Sequence, residues 1–379
     1  MALFILPANN ARTADKYVLW AVISLCAIGV VAVYSAIAFL AETKSGGDTE
    51  RFLFKHLVRV FFALGIMGLF SVVNYRVLAK FARIALIGSI GLLLLVQAVG
   101  VVSGGAARWL AIGTFGFQPS DLAKVALILY VAVLLANKQA YIESFSRAFA
   151  PIFFWIIVTV VAIGIEDLST AALVLASVLT MCFIARVRLL HIAGVGALGL
   201  TLAYMLLLAS PGRAARVESF TGMKLFPNTV AEEVFSAQDE GYQAEQARIA
   251  IAAGGVFGVG PGKSIQRDFL PAPYNDFIYA IITEEYGMVG AFVLLGLFVL
   301  ILFRGLLRVA RHAPDPLGCF MAVGLVVMIA LYGFIHAGVT ARLLPVTGLP
   351  MPFVSFGGTN MAASGMMIGI LLNISRQTE

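Results

Sequence analysis

Side chains able to do chemistry are scarce in this chain, and they gather in four places at the ends of apolar runs. In the first, Arg108 and Trp109 precede Gln118, Pro119, Ser120, Asp121 and Lys124. Asp121 and Lys124 are three residues apart, so a helix puts them on one face where they can pair. Such a pair serves a substrate or merely neutralises itself within the fold, and spacing does not choose between the two. Trp109 beside Arg108 is equally an interfacial anchor. In the second place, Glu166 and Asp167 are followed by Ser169 and Thr170. Adjacent acids can hold a cation, but at a helix start their commoner task is to cap exposed N–H groups.

The third group is the longest. Arg213, Arg216, Gln243, Gln246 and Arg248 lead to Gly258-Val259-Gly260-Pro261-Gly262-Lys263-Ser264, then to Leu270-Pro271-Ala272-Pro273-Tyr274-Asn275-Asp276-Phe277. GPGKS invites a nucleotide site, but that motif needs a preceding strand and a glycine where Phe257 stands. A nucleotide site is rejected, although a glycine-rich turn with Lys263 and Ser264 can still hold a phosphate on its N–H groups. Asp276 is the residue best placed for acid–base work, where a proline-marked loop enters an apolar run ahead of Glu284 and Glu285. The plainer use is as a cap or first-turn acid of that helix. The fourth group is RLLPVTGLPMPFVSFGGTN, residues 342–360. Pro345, Pro350 and Pro352 cannot donate backbone hydrogen bonds, and Gly348, Gly357 and Gly358 are expected in conformations barred to other residues. This predicts irregular backbone at membrane depth, tolerated only when packed in protein or lining a cavity. His336, shortly before, is expected to be a satisfied helix contact.

Composition says what scaffold must position these groups. The 379 residues are 61% hydrophobic and 12% charged, with a mean hydropathy of +0.97. Soluble domains carry about 25% charged residues, so a water-facing globule is excluded. Apolar runs long enough to cross a bilayer as helix (about 17–25 residues) lie near 17–40, 52–73, 84–102, 119–136, 150–165, 169–185, 191–209, 275–303, 317–341 and 358–374. The expectation is an all-α polytopic membrane protein with ten transmembrane helices. The net charge of +6 sits in short clusters between these runs, which fits membrane topology and not a nucleic-acid groove. With the N-terminus inside, Lys16, Arg76, Lys80, Arg83, Arg186, Arg188, Arg304, Arg308 and Arg311 fall on the cytoplasmic side, as do both termini. All four chemical groups then face outward. Residues 210–274 form one long outer loop, in which AEEVFSAQDEGYQAEQARIAIAAGG has helical spacing up to paired glycines. Loops this long are functional or disordered, and the interleaved apolar residues favour function. Cys26, Cys182 and Cys319 are far apart inside apolar runs, as core thiols are. A transporter and a membrane-embedded enzyme both fit these features.

LLPVTGLPMPFVSFGG resembles the signature of the SEDS family (shape, elongation, division and sporulation), the peptidoglycan polymerases typified by FtsW and RodA. AVYS, RWLAIGTFGFQPSDLAK, EDLSTA, YQAEQARIAIAAGGVFGVGPGKS and LPAPYNDFIYAIITEEYG follow in the family's order, so the resemblance covers nearly the whole chain. It implies one integral membrane domain over residues 1–379, in the bacterial cytoplasmic (inner) membrane. It implies polymerisation of lipid II into β-1,4 glycan at the outer face, by inverting transfer with a polyprenyl pyrophosphate leaving group. The implied partners are a class B penicillin-binding protein and other division or elongation proteins. The family's key aspartate falls on Asp276, the expected catalytic base. Arg108, Trp109, Asp121, Lys124, Arg213, Arg216, Lys263, Ser264, Thr347, Ser355, Gly357 and Gly358 are expected at the substrate, and a divalent cation, Mg2+ or Mn2+, could share the pyrophosphate charge. The chain departs from the family at Asp121 (usually glutamate), His336 (commonly asparagine), Arg342 (usually glycine) and SFGGTN (SYGGSS), which weakens site assignments at His336 and Asn360. Its compact length and PYNDFIYAIITEEYG are closer to the division branch, FtsW-type, than to the elongation branch, RodA-type. The rival activity, a lipid II flippase, needs polar groups along a path to the inner face, and few are present there beyond loop charges.

Overall fold

A computed structural model describes residues 13–44, 49–103, 106–112, 115–226, 240–270 and 272–378. Helices dominate because a chain in lipid must satisfy its own backbone groups. In order they are α1 (Lys16–Lys44), α2 (Thr49–Val72), α3 (Tyr75–Val99), α4 (Pro119–Asn137), α5 (Ala150–Glu166), α6 (Leu168–Ile184), α7 (Leu189–Leu208), α8 (Pro211–Thr221), α9 (Glu240–Gly254), α10 (Ile278–Phe303), α11 (Pro316–Thr340) and α12 (Gly358–Ser375). Among the described residues, eight helices are long and apolar enough to cross a membrane. The two other expected spans coincide with α6, which has 17 residues, and α12, which has 18. α12 carries Asn360, Ser364, Asn373 and Ser375, all buried against protein, which dilutes its hydropathy. Length and hydropathy therefore support eight spans directly, not ten.

Two further differences have plain causes. The third helix starts at Tyr75, not near 84, because Asn74 caps it by accepting from the Arg76 N–H at 3.0 Å. Arg76 then pairs with Asp315 at 2.8 Å, so its charge belongs to a helix end and not to a loop. The connection from α3 to α4 is not featureless. It forms an antiparallel sheet of β1 (Val101–Ser103), β2 (Ala106–Ile112) and β3 (Phe115–Phe117), in that order, with Val101 opposite Trp109 and Leu110 opposite Phe117. The fold is helical as expected apart from this small sheet, which holds Arg108 and Trp109.

α4 and α11 are buried along most of their length and form the centre of the bundle. α7 lies at its edge and buries only Val195. The expected helical stretch in the long loop is realised as α9, while its part over 231–239 lies outside the described residues, as does Pro271. The three cysteines are free, with Cys26 and Cys182 buried.

Candidate active site

The glycine-rich turn explains how α10 is held. That helix is broken at Gly287 (φ 67°, ψ −167°), which frees backbone carbonyls in the preceding turn. The N–H groups of Val259 and Gly260 donate to Glu284 O and Glu285 O at 2.9 and 3.0 Å, and Met288 N donates back to Gly255 O at 2.9 Å. Approach is so close that a Cβ on Gly258 would stand 2.1 Å from Glu285 O. The glycines thus serve a backbone clasp. Ser264 is buried and donates to the Glu284 carboxylate, which also accepts from Ile265 N at 3.0 Å. Lys263 is exposed on the turn.

Asp276 lies just beyond that clasp, two residues before α10. The helix cap is Phe277, and the first turn holds no acid, so Asp276 is used neither as cap nor as first-turn acid. The 342–360 loop is fastened to the segment that carries it. Ser355 Oγ donates to Asn275 O at 2.7 Å, accepting in turn from Met351 N at 2.8 Å, and Phe356 N donates to Tyr274 O at 3.0 Å. Gly348 (φ 66°) sits beside the carboxylate: a Cβ there would stand 3.9 Å from Asp276 Oδ2. The loop backbone is irregular as expected, with Arg342 (φ 55°) and Phe353 (φ 63°) in the left-handed region. Gly357, however, has φ −111° and stands as the cap position of α12, and a Cβ on Gly357 or Gly358 would meet neighbours only at ordinary contact distance. The expected need for glycine is corrected to Gly348. Burial and the Asp276 carboxylate push the Tyr274 phenol up, opposed by Arg59. His336 donates from Nδ1 to Leu349 O at 2.7 Å, but its Nε2 is buried without a hydrogen-bond partner, so the expected satisfied contact is met on one ring nitrogen only.

On its other side the same loop closes a cavity of about 310 Å³, lined by Arg108, Arg213, Arg216, Asp167, Thr347 and apolar residues of α6, α7 and 344–349. Two of its arginines, Arg108 and Arg213, are anchored by the C-terminal carbonyls of α5, where the helix dipole is negative. Arg213 donates to Gly164 O at 3.0 Å, Ile165 O at 2.6 Å and Glu166 O at 3.1 Å, and Arg108 Nε donates to Glu166 O at 2.8 Å. Burial, Arg108 and Arg216 pull the Arg213 guanidinium below its usual value, with Asp167 opposing. Asp167 is the α6 cap, accepting from Ser169 N and Thr170 N at 3.0 and 3.1 Å. Both oxygens of its neighbour Glu166 are buried without a hydrogen-bond partner.

Beneath lies a buried polar chain. Lys124 is fully buried and donates to Asp121 Oδ1 at 2.7 Å, Tyr332 OH at 3.2 Å and Asn360 Oδ1 at 3.4 Å, with its ammonium 4.4 Å from the Tyr332 ring centre. Thr359 Oγ1 donates to Asp121 Oδ2 at 2.6 Å, and Tyr332 OH meets Thr170 Oγ1 at 3.3 Å. The pair ties α4 to α11, α6 and the start of α12, which fixes the downstream end of the 342–360 loop.

Sequence comparison matches residues 16–379 to the FtsW/RodA/SpoVE family, described as cell cycle proteins. The chain belongs to this family. Similar members include stage V sporulation protein E of Bacillus subtilis, 36% identical over 94% of this chain and 95% of its own length. The probable peptidoglycan glycosyltransferase FtsW of Geobacter sulfurreducens is 33% identical over 98% of both chains. Among solved structures, a chain from work on the coordination of polymerization and crosslinking by a peptidoglycan synthase complex aligns with a TM-score of 0.75 and 25% identity, covering 96% of this chain and 98% of that one. The rod shape determining protein RodA of Thermus thermophilus shares the fold, with a TM-score of 0.69 at 24% identity over 96% and 97% of the two chains.

In this FtsW/RodA/SpoVE scaffold the residues expected at the substrate divide. Arg108, Arg213, Arg216 and Thr347 line one cavity, and Gly348 joins that wall to Asp276. Ser355 fastens the wall, while Asp121 and Lys124 act from inside the bundle. Trp109 covers Gly116 on the sheet, whose added Cβ would lie 3.1 Å from its ring, and Lys263 and Ser264 line no part of the cavity. Arg59 and His56 on α2 went unflagged in the sequence. Arg59 stacks over the Phe356 ring at 4.0 Å and His56 at 5.6 Å, on the loop beside Tyr274. Their signal was available, since ionisable residues within an apolar run are functional candidates by default.

Proposed function

We propose that the chain is a division-type peptidoglycan glycosyltransferase, one integral domain of the bacterial cytoplasmic membrane with both termini inside, polymerising lipid II at the outer face. Family membership and relatives named FtsW support the activity class. In the reaction, the acceptor's 4-hydroxyl attacks the anomeric carbon of the α-linked donor, and undecaprenyl pyrophosphate leaves to give a β-1,4 bond. The hydroxyl must lose a proton and the leaving group gains charge. Asp276 takes the proton, a contribution of roughly 10²–10⁴-fold. Arg108, Arg213 and Arg216 meet the departing pyrophosphate, and because α5 carbonyls already fix two of them, they need little reorganisation in the transition state. Thr347 offers a hydroxyl at the same wall, and Asp121 and Lys124 position the loop without touching substrate.

One observation carries the reading. Consecutive loop residues put Thr347 and Leu349 in the arginine cavity and Gly348 against Asp276, so base and anion site share one wall. Among the described residues, no three His, Cys, Asp or Glu side chains converge as a metal site. A class B penicillin-binding protein is the proposed partner, supported by the similar chain of a peptidoglycan synthase complex. The test supplies lipid II on the outside of liposomes containing the purified chain and its partner. Polymeric glycan is the expected product; lipid movement without polymer would establish a flippase instead.

A further inference from the structure

We propose that the groove between α5, α6 and α7 holds the isoprenoid chain of a polyprenyl pyrophosphate whose headgroup sits at Arg108, Arg213 and Arg216. The identity of that lipid rests on the glycosyltransferase reading. The groove encloses about 300 Å³ and is lined only by aliphatic side chains and glycines. It is continuous with the arginine cavity, since Leu168, Ala172 and Ala203 line both. From its mouth the groove runs along α6 from Leu168 to Leu179. At 1.5 Å per residue that is about 16 Å, close to half of a ~30 Å hydrocarbon core. On α5 it extends from Ile157 to Gly164 and on α7 from Gly196 to Leu206, so one end of it comes close to the arginines. A cationic mouth opening into an apolar channel one leaflet deep fits an amphiphile with an anionic head and a single hydrocarbon chain. A soluble sugar phosphate would leave the channel empty.

On α7, Gly196 leaves the groove open, whereas Gly199 is packed against Leu175, 2.5 Å from where its Cβ would stand. A Cβ on Gly196 would meet nothing within 4 Å, and Gly196 lines the groove. Gly194 is equally open but does not line it. Gly196→Leu starts from a Cβ that meets nothing and projects a side chain into the groove, and Gly194→Leu is the matched control.

Two measurements test the proposal. With lipid II as substrate, Gly196→Leu is expected to raise KM about tenfold or more with kcat within about twofold, the signature of lost uniform binding, while Gly194→Leu leaves both unchanged. In the second, undecaprenyl phosphate bearing a diazirine on its first isoprene units is photolysed with the wild-type chain in nanodiscs, and the labelled peptides are mapped. Labelling within 157–206, competed by undecaprenyl phosphate and not by phosphatidylglycerol, supports the groove. Labelling elsewhere, or equal competition by phosphatidylglycerol, overturns it, as does an unchanged KM in folded Gly196→Leu. If the wild type labels in the groove but makes no glycan, the enzymatic reading falls and the lipid groove stands.

Discussion

Removing either member of the Asp121–Lys124 pair should cost more than removing both. Lys124 is 0% exposed and its ammonium has one carboxylate, one phenol and one amide oxygen around it. Lys124→Met keeps the stem but leaves the Asp121 charge buried, with the Thr359 hydroxyl donating to it at 2.6 Å. Asp121→Asn strands the ammonium. Breaking a buried pair from one side costs about 3–5 kcal/mol, whereas replacing both charges is often near neutral. Independent losses would sum to roughly 6–10 kcal/mol on the same scale; the double variant is expected far below that, with a coupling of at least about 2 kcal/mol. Purified single and double variants, unfolded thermally in one detergent and assayed for glycan synthesis, complete the cycle. Additivity within about 0.5 kcal/mol would refute the pairing argument.

Gly348→Val should abolish most glycan synthesis in protein that still folds, because it forces a β-branched residue to φ 66° beside Asp276. Gly357→Ala, with ordinary space and φ, should retain activity within about twofold, and the two variants at matched amounts decide which glycine shapes the wall. Arg213→Ala removes three hydrogen bonds from α5 carbonyls. It should lower stability by about 2–3 kcal/mol, as expected for bonds to a charged donor, and raise KM for lipid II; an unchanged melting curve and KM would count against its anchoring role. Gly258→Val meets backbone at 2.1 Å and should prevent accumulation of folded protein, measurable as loss of the monodisperse peak in size-exclusion chromatography.

The helical scaffold was legible because lipid imposes one solution on apolar runs: each expected span coincides with a helix, although α6 and α12 are too short or too polar to qualify alone. The pairing of Asp121 with Lys124 and the capping by Asp167 were also legible, since both are local. What spacing could not give was distance across the chain. Tyr332 and Asn360 lie more than 200 residues from Lys124, and only packing shows that they complete its shell. The outer sheet had a sequence signal, since GG and GT separate short runs in VVSGGAARWLAIGTFGF as glycine-containing pairs do in hairpins. The clasp made by the glycine-rich turn was not legible either, for a physical reason. Glycines that admit a phosphate and glycines that admit another backbone look alike in sequence, and only the broken helix at Gly287 reveals the backbone contact.

Asp276 as the proton acceptor is the central claim, and one substitution tests it most directly. Asp276→Asn is nearly isosteric, lies outside the α10 cap and first turn, and should leave folding and partner binding intact. With purified partner and lipid II, its initial rate of glycan synthesis should fall roughly 10²–10⁴-fold. Synthesis at near the wild-type rate by a folded Asp276→Asn protein would contradict the account.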